Sequence, residues 1–253
     1  QEGTIAIGYD ALTALTSGTG NTAVGYQALK LEDAGVKNTA IGYQALTTVN
    51  ADDGKNTAVG HTAGTAMTGG YLNTIVGAEA ADELLTGFSN TVVGARAFNA
   101  ADGSESRNIA IGTDCMAAVD NNSSTGNIAL GVDSLSGGTG VIIGNIAIGR
   151  NALNSTTNQA QTGTIAIGQD ALTALSSGAG NTAVGYTALA TNVDGSYNTA
   201  VGYEALYTFE ADTLNHGWNT SVGYQAGKFV STGTQNTFLG SSSGTGSSGA
   251  VTT

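Results

Sequence analysis

One hydrophobic–polar phrase recurs along the 253 residues of the chain. A triplet of Thr or Ile, then a small residue, then Val, Ile or Leu ends on a glycine. After it come a variable residue, a polar residue, an Ala and often a Leu. The clearest copies are N-T-A-V-G-Y-Q-A-L at residues 21–29, N-T-A-I-G-Y-Q-A-L at 38–46 and N-T-A-V-G-Y-E-A-L at 198–206. With the glycine as origin there are fourteen copies, from Gly8 to Gly240, spaced 17 to 21 residues apart, and (240 − 8)/13 gives a mean period of about 17.8. The residue before the glycine is Ile, Val or Leu in all fourteen. Such occupancy in a short segment bounded by turn residues predicts a strand rather than a helix. Period-2 geometry puts the residue three before the glycine on the same face, and this face is expected to point into the core. The residue between them is Ala in ten copies and Ile75, Val92, Ser221 or Phe238 in the others. It points the opposite way yet is not charged, so a second surface is expected to pack closely on it: the other wall of the same coil, or a neighbouring chain.

A unit of this length cannot bury its own apolar side and must stack on its neighbours. The prediction is an all-β parallel β-solenoid of about fourteen coils of 17–18 residues, one repeat domain over 1–244 with a Gly/Ser-rich tail or linker at 245–253. At a strand spacing of about 4.8 Å such a stack is a rod roughly 65 Å long. The Ala column (Ala28, Ala45, Ala188) and the Leu column (Leu29, Leu46, Leu189) after the bend suggest a second short buried strand, and the remaining residues of each repeat read as loop. Asn stands four before the glycine in twelve copies. Stacked amides bond to one another and to turn backbone, so Asn21, Asn38, Asn56, Asn181 and Asn198 are assigned to a structural ladder. Gly8, Gly25, Gly42, Gly185 and Gly202 join it as the bend that a Cβ would obstruct. A Val-Ile-Ile-Gly phrase at 141–144 lies only five residues ahead of Gly149, out of frame, and reads as a bulge or a change of cross-section.

Composition narrows the function. The chain has 39 Gly and no Pro, seven Lys and Arg against 19 Asp and Glu, and a net charge of −12. A polyanion is not drawn to nucleic acid or to anionic membranes. One Cys and two His exclude a disulfide framework and a zinc finger. No apolar stretch approaches the ~18 residues of a membrane span. No signal peptide is visible, though one removed ahead of Gln1 would leave no trace. A hydrophobic share of 40% predicts a folded chain.

Candidate chemistry is sparse. A Tyr column follows the glycine, and Tyr9, Tyr26, Tyr43, Tyr203 and Tyr224, with Trp218 in the longest gap, are the candidate glycan-binding residues. Tyr186 belongs to the same column, His61 stands where Tyr usually stands, and Cys115 replaces a column Ala. The next column is acidic at Asp10, Glu79, Asp114, Asp133, Asp170 and Glu204. It reads as a solvated face, with alignment of carboxylates for calcium as the alternative. The loops at 50–54 and 192–195 carry oxygen ligands without EF-hand or calcium-roll spacing, so no metal or other cofactor is expected, calcium being the one ion these loops suit. Seven scattered basic residues do not build the carboxylate-plus-base cluster of a polysaccharide-cleaving β-helix, and no phosphate-binding glycine motif lies between a strand and a helix. No enzyme and no catalytic residue is expected. Ice binding would need a flat outward Thr ladder, and the Thr column, placed inward by this reading, argues against it.

The N-T-A-V-G-x-x-A-L phrase resembles the N-S-V-A-I-G-x-x-A head repeats of trimeric autotransporter adhesins. It is also similar to the repeats of phage tail fibres and bacterial surface proteins that carry a C-terminal intramolecular chaperone, over about residues 3–244. The resemblance implies a left-handed β-roll assembled as a homotrimer, acting as an attachment or spacer fibre. Two departures stand out: the period exceeds the adhesin coil, and no stalk, anchor or chaperone domain is present, which implies a fragment or processed product. The expected function is a structural or adhesive fibre subunit, extracellular, on a cell surface or on a virion. It would self-assemble by lateral trimer packing, or through solenoid ends that carry no polar cap. The alternative is a glycan-binding, receptor-recognising module on such a surface.

Overall fold

A computed structural model describes residues 2–50, 54–155, 159–210 and 217–245. Apart from Thr245, the predicted tail lies outside the described residues, as do 51–53 of one candidate calcium loop and 211–216 of the longest gap. The chain divides into two compact units, Gln1–Gly126 and Asn127–Thr253. Each is a parallel β-solenoid, and among the described residues there is no helix.

In the first unit seven three-residue strands follow one another: β1 (Ile5–Ile7), β2 (Thr22–Val24), β3 (Thr39–Ile41), β4 (Thr57–Val59), β5 (Thr74–Val76), β6 (Thr91–Val93) and β7 (Ile109–Ile111). Each pairs in parallel with the next, one repeat on, and the register matches column to column: Ile7 opposite Val24, Val24 opposite Ile41, Ala40 opposite Ala58. The second unit repeats this with β8 (Ile128–Leu130), β10 (Ile146–Ile148), β12 (Ile165–Ile167), β13 (Thr182–Val184), β14 (Thr199–Val201), β15 (Thr220–Val222) and β16 (Thr237–Leu239). It adds a two-stranded sheet, β9 (Ile142–Ile143) with β11 (Gln161–Thr162). The out-of-frame phrase is therefore a loop segment ahead of Asn145 that finds a partner one coil on. Its Ile142 carbonyl accepts the Asn127 amide at 2.9 Å.

The strand faces are the reverse of the sequence expectation. The middle residue of the triplet points inward: Ala23, Ala40, Ala58, Ile75 and Val92 are fully buried, as are Ala129, Ala147, Ala166, Ala183 and Ala200. The flanking Thr and Val or Ile face out and are at most partly covered, Ile41 being 40% and Ile7 60% exposed. The cause is the thinness of the coil. The opposite wall fills the interior with Leu29, Leu46, Leu153, Leu172 and their column neighbours, which leaves room for little more than a methyl on the strand side. Where the strand residue grows, the facing residue shrinks. Ile75 lies against Gly64, where an added Cβ would sit 3.1 Å from Ile75 Cδ1, and Phe238 lies against Gly227 at 3.0 Å. Volume conserved across the two walls keeps the core at protein density. The second surface inferred from the Ala column is thus the other wall of the same coil.

That other wall is not a strand. The residues after the glycine form turns, with left-handed backbone at two alternate positions: Gln27 (φ 55°) and Leu29 (φ 49°), then Gln44 (φ 53°) and Leu46 (φ 49°) one coil on. Each non-glycine residue so placed costs about 1 kcal/mol. Bonds to the coils on either side offset this: Gln27 N–H donates back to the Tyr9 carbonyl at 2.8 Å, and Leu29 N–H donates forward to the Ala45 carbonyl at 3.1 Å.

Two buried columns join the walls. Each ladder asparagine is a bracket between coils: Asn38 Oδ1 accepts the Asn56 backbone N–H at 2.9 Å, and Asn56 Nδ2 donates to the Gly70 carbonyl at 2.8 Å. Asn21 and Asn181 make the same two contacts; Asn198 Oδ1 likewise accepts the Asn219 N–H at 3.1 Å, while its Nδ2 donates to Asn181 Oδ1 at 3.1 Å. The bend glycines sit at φ 136° to 141° for Gly8, Gly25, Gly42, Gly185 and Gly202, and a Cβ on Gly25 would fall onto the carbonyl of Gly42. Backbone conformation and close approach both demand glycine there.

Candidate functional site

The outward side of the strand wall is the most distinctive surface. It carries two parallel columns set by the pairing register. One is Thr22, Thr39, Thr57, Thr74, Thr91 in the first unit and Ile128, Ile146, Ile165, Thr182, Thr199, Thr220, Thr237 in the second. The other is Val24, Ile41, Val59, Val76, Val93 and, in the second unit, Leu130, Ile148, Ile167, Val184, Val201, Val222, Leu239. No charged side chain stands in either column. A sheet with one solvated face ordinarily places polar or charged residues outward; this one places Val, Ile and Leu there, with Ile41 40% and Ile111 39% exposed. Because the Thr column is outward, the objection to ice binding that rested on its burial does not hold. No cleft or cavity is present among the described residues.

Beside this face run the aromatic columns. Tyr9, Tyr26, Tyr43 and His61 stack in sequence with ring centroids 5.5, 5.0 and 5.1 Å apart. In the second unit Tyr186, Tyr203 and Tyr224 do the same at 5.2 and 5.4 Å. The ring faces of Tyr26, Tyr43 and Tyr203 are turned on their neighbours, so these residues offer solvent their edges rather than the open face a sugar ring stacks on. Trp218 lies elsewhere, just before the ladder residue Asn219. It stacks on Tyr197 at 6.0 Å and is 48% exposed. A further pair that sequence reading overlooked, Tyr71 and Phe88, stacks at 5.1 Å with the Arg107 guanidinium 5.0 Å from the Phe88 centroid.

The acidic column lies on the turn wall and is largely matched by neighbours one coil away. Asp10 pairs with Lys30 at 3.3 Å, Asp114 with Arg96 at 2.6 Å, Glu204 with Lys228 at 2.6 Å, and Asp170 accepts the Asn151 amide at 2.8 Å. The Lys228 ammonium, then the Gln225 amide, hold the Glu204 carboxyl below its ordinary range, and the Glu204 charge pushes the Tyr203 phenol up. In the candidate calcium loop at 192–195, Asn192 Oδ1 accepts the Gly195 N–H at 3.0 Å and Asp194 accepts the Ser177 hydroxyl at 2.6 Å. His61 is a ladder variant on Tyr43, and Cys115 is buried.

A different acidic group, absent from the sequence reading, brings Asp102, Glu105 and Asp120 together. The signal for it was a Glu at a position where half of the repeats carry Gly. Compared with known proteins, the chain matches no family model, no curated protein and no solved structure. No helix of the described residues is long and apolar enough to cross a membrane.

Proposed function

We propose that this chain is a structural subunit of a fibre, of the phage tail-fibre or cell-surface kind, which associates laterally with copies of itself as a homotrimer outside the cell or on a virion. One observation carries the reading: an uncharged outer face of two β-branched columns, repeated coil after coil. A surface of this kind is a liability on an isolated chain and an asset in an interface. Identical faces brought together around a closed rotation axis bury it on every subunit. The test is the solution mass at micromolar concentration: three chains of 24.9 kDa give about 75 kDa. The double variant Val59→Glu, Val76→Glu is expected to run as a monomer with an unchanged far-UV spectrum. A wild-type chain that stays near 25 kDa at every concentration overturns the proposal.

A second reading, recognition of a surface glycan, is favoured by Trp218, whose indole is half exposed beside the exposed ring of Tyr197. Binding on a glycan array that disappears in Trp218→Ala would support it; an array with no signal removes it.

A further inference from the structure

The residue three before the ladder asparagine is Gly in seven coils, Gly70 and Gly87 among them, and varies in the others; ahead of Asn108 it is Glu105. The backbone role is kept, since the Glu105 carbonyl accepts the Asn90 amide at 2.8 Å as the Gly87 carbonyl accepts that of Asn73 at 2.8 Å. The side chain is extra, and it is wholly buried. Oε2 accepts the Gly103 N–H at 3.1 Å, while Oε1, also buried, has no hydrogen-bond partner.

A buried carboxylate in this fold need not be left so. Glu32 is equally buried, yet its Oε1 accepts the Gly35 N–H at 2.5 Å and its Oε2 the Asn38 amide at 3.1 Å. Glu105 instead meets two more acids, Asp102 from its own coil and Asp120 from the next. One carboxylate oxygen from each of the three lies within 4.8 Å of the others. Burial, then the Asp102 and Asp120 charges, push the Glu105 carboxyl up, against the backbone N–H groups of Glu105 and Gly103. A buried carboxylate with one orphaned oxygen, set among two like charges, lacks one component, a cation.

We infer that Asp102, Glu105 and Asp120 bind one calcium ion, which ties the loop of one coil to the loop of the next. Three carboxylates without nitrogen or sulfur select a hard cation. Oxygens coordinated at about 2.4 Å to one ion lie at most about 4.8 Å apart, and those of this cluster fall within that limit. Calcium tolerates irregular loop ligands and completes its shell with carbonyls and water, whereas magnesium demands near-octahedral geometry at about 2.1 Å. The inference does not depend on self-association, because all three ligands come from one chain.

The experiment uses the full chain stripped with a chelator, titrated with Ca²⁺ by calorimetry and followed by melting. One ion per chain is expected, with a rise in melting temperature of about 5 °C at saturating calcium. Glu105→Gly installs the residue that seven other coils carry there and so is expected to keep the fold; it is expected to weaken binding at least about tenfold and to abolish the shift. Asp133→Asn, outside the cluster, is expected to keep both. Absence of stoichiometric binding overturns the site, as does binding undiminished in Glu105→Gly, which would place the ion elsewhere on this acidic chain. An equal response to Mg²⁺ overturns the assignment to calcium.

Discussion

The strand wall and the turn wall of a coil both turn small or aliphatic side chains inward, Ala23 and Ala40 on one side, Leu29 and Leu46 on the other. They differ in what surrounds that core. The strand wall satisfies its backbone in parallel ladders and spends its outer face on Thr, Val and Ile. The turn wall uses left-handed residues, reaches its neighbours through bonds that alternate forward and back, and shows solvent a polar column paired with Lys30, Arg96 and Lys228. The same stacking thus yields one side suited to packing against another molecule and one suited to water. The acids of the paired column and those of the Asp102 cluster sharpen the point: on the outer turn wall Asp10, Asp114 and Glu204 each meet a basic side chain from a neighbouring coil.

Substitutions that force the walls apart should separate them most clearly. Gly77→Ala places a Cβ against the Gly94 carbonyl in a backbone at φ 145°. It is expected to destabilise by about 3 kcal/mol or more in urea denaturation. Gly64→Ala, on the turn wall at φ 61° with side-chain rather than backbone atoms in the way, is expected to cost about half as much. If the two are equal, close backbone approach is not what distinguishes the strand wall.

Asn56→Ala ranks next. It leaves the buried Asn73 N–H, now bonded to Asn56 Oδ1 at 3.0 Å, and the Gly70 carbonyl without that partner, at a cost of about 2 kcal/mol. A smaller effect is set by pH. Burial raises the Glu105 and Asp82 carboxyls above their ordinary range. Between the unfolded and folded pKa values the folded chain holds more protons, so stability in calcium-free buffer rises as pH falls from neutral through the raised values, and stops rising near pH ~4, where the unfolded carboxyls also protonate. Urea midpoints at pH 7 and pH 5 give the sign. The smallest change is expected on the outer turn wall: Asp114→Ala removes an exposed pair with Arg96 and should alter stability by no more than about 0.5 kcal/mol.

Period, strand positions, the asparagine bracket and the glycine row were legible in the residues, because each recurs in nearly every repeat and answers to local backbone geometry. Three things were not. The choice of inward face was misread because alternation defines two faces without ranking them; Val24 and Ile41 looked more like core than Ala23 and Ala40. The facing Leu29 and Leu46 settle it by leaving space for a methyl alone, a fact about distance between walls. The second wall looked like a strand because Ala and Leu columns are equally compatible with a run of turns, and non-glycine left-handed residues such as Gln27 and Leu29 leave no mark in composition. The Asp102–Glu105–Asp120 group was hidden because its members belong to two coils and meet through stacking. Sequence spacing carries what one coil needs of its own backbone; which side is inside, and which charges meet, depend on the neighbouring coil and the opposite wall.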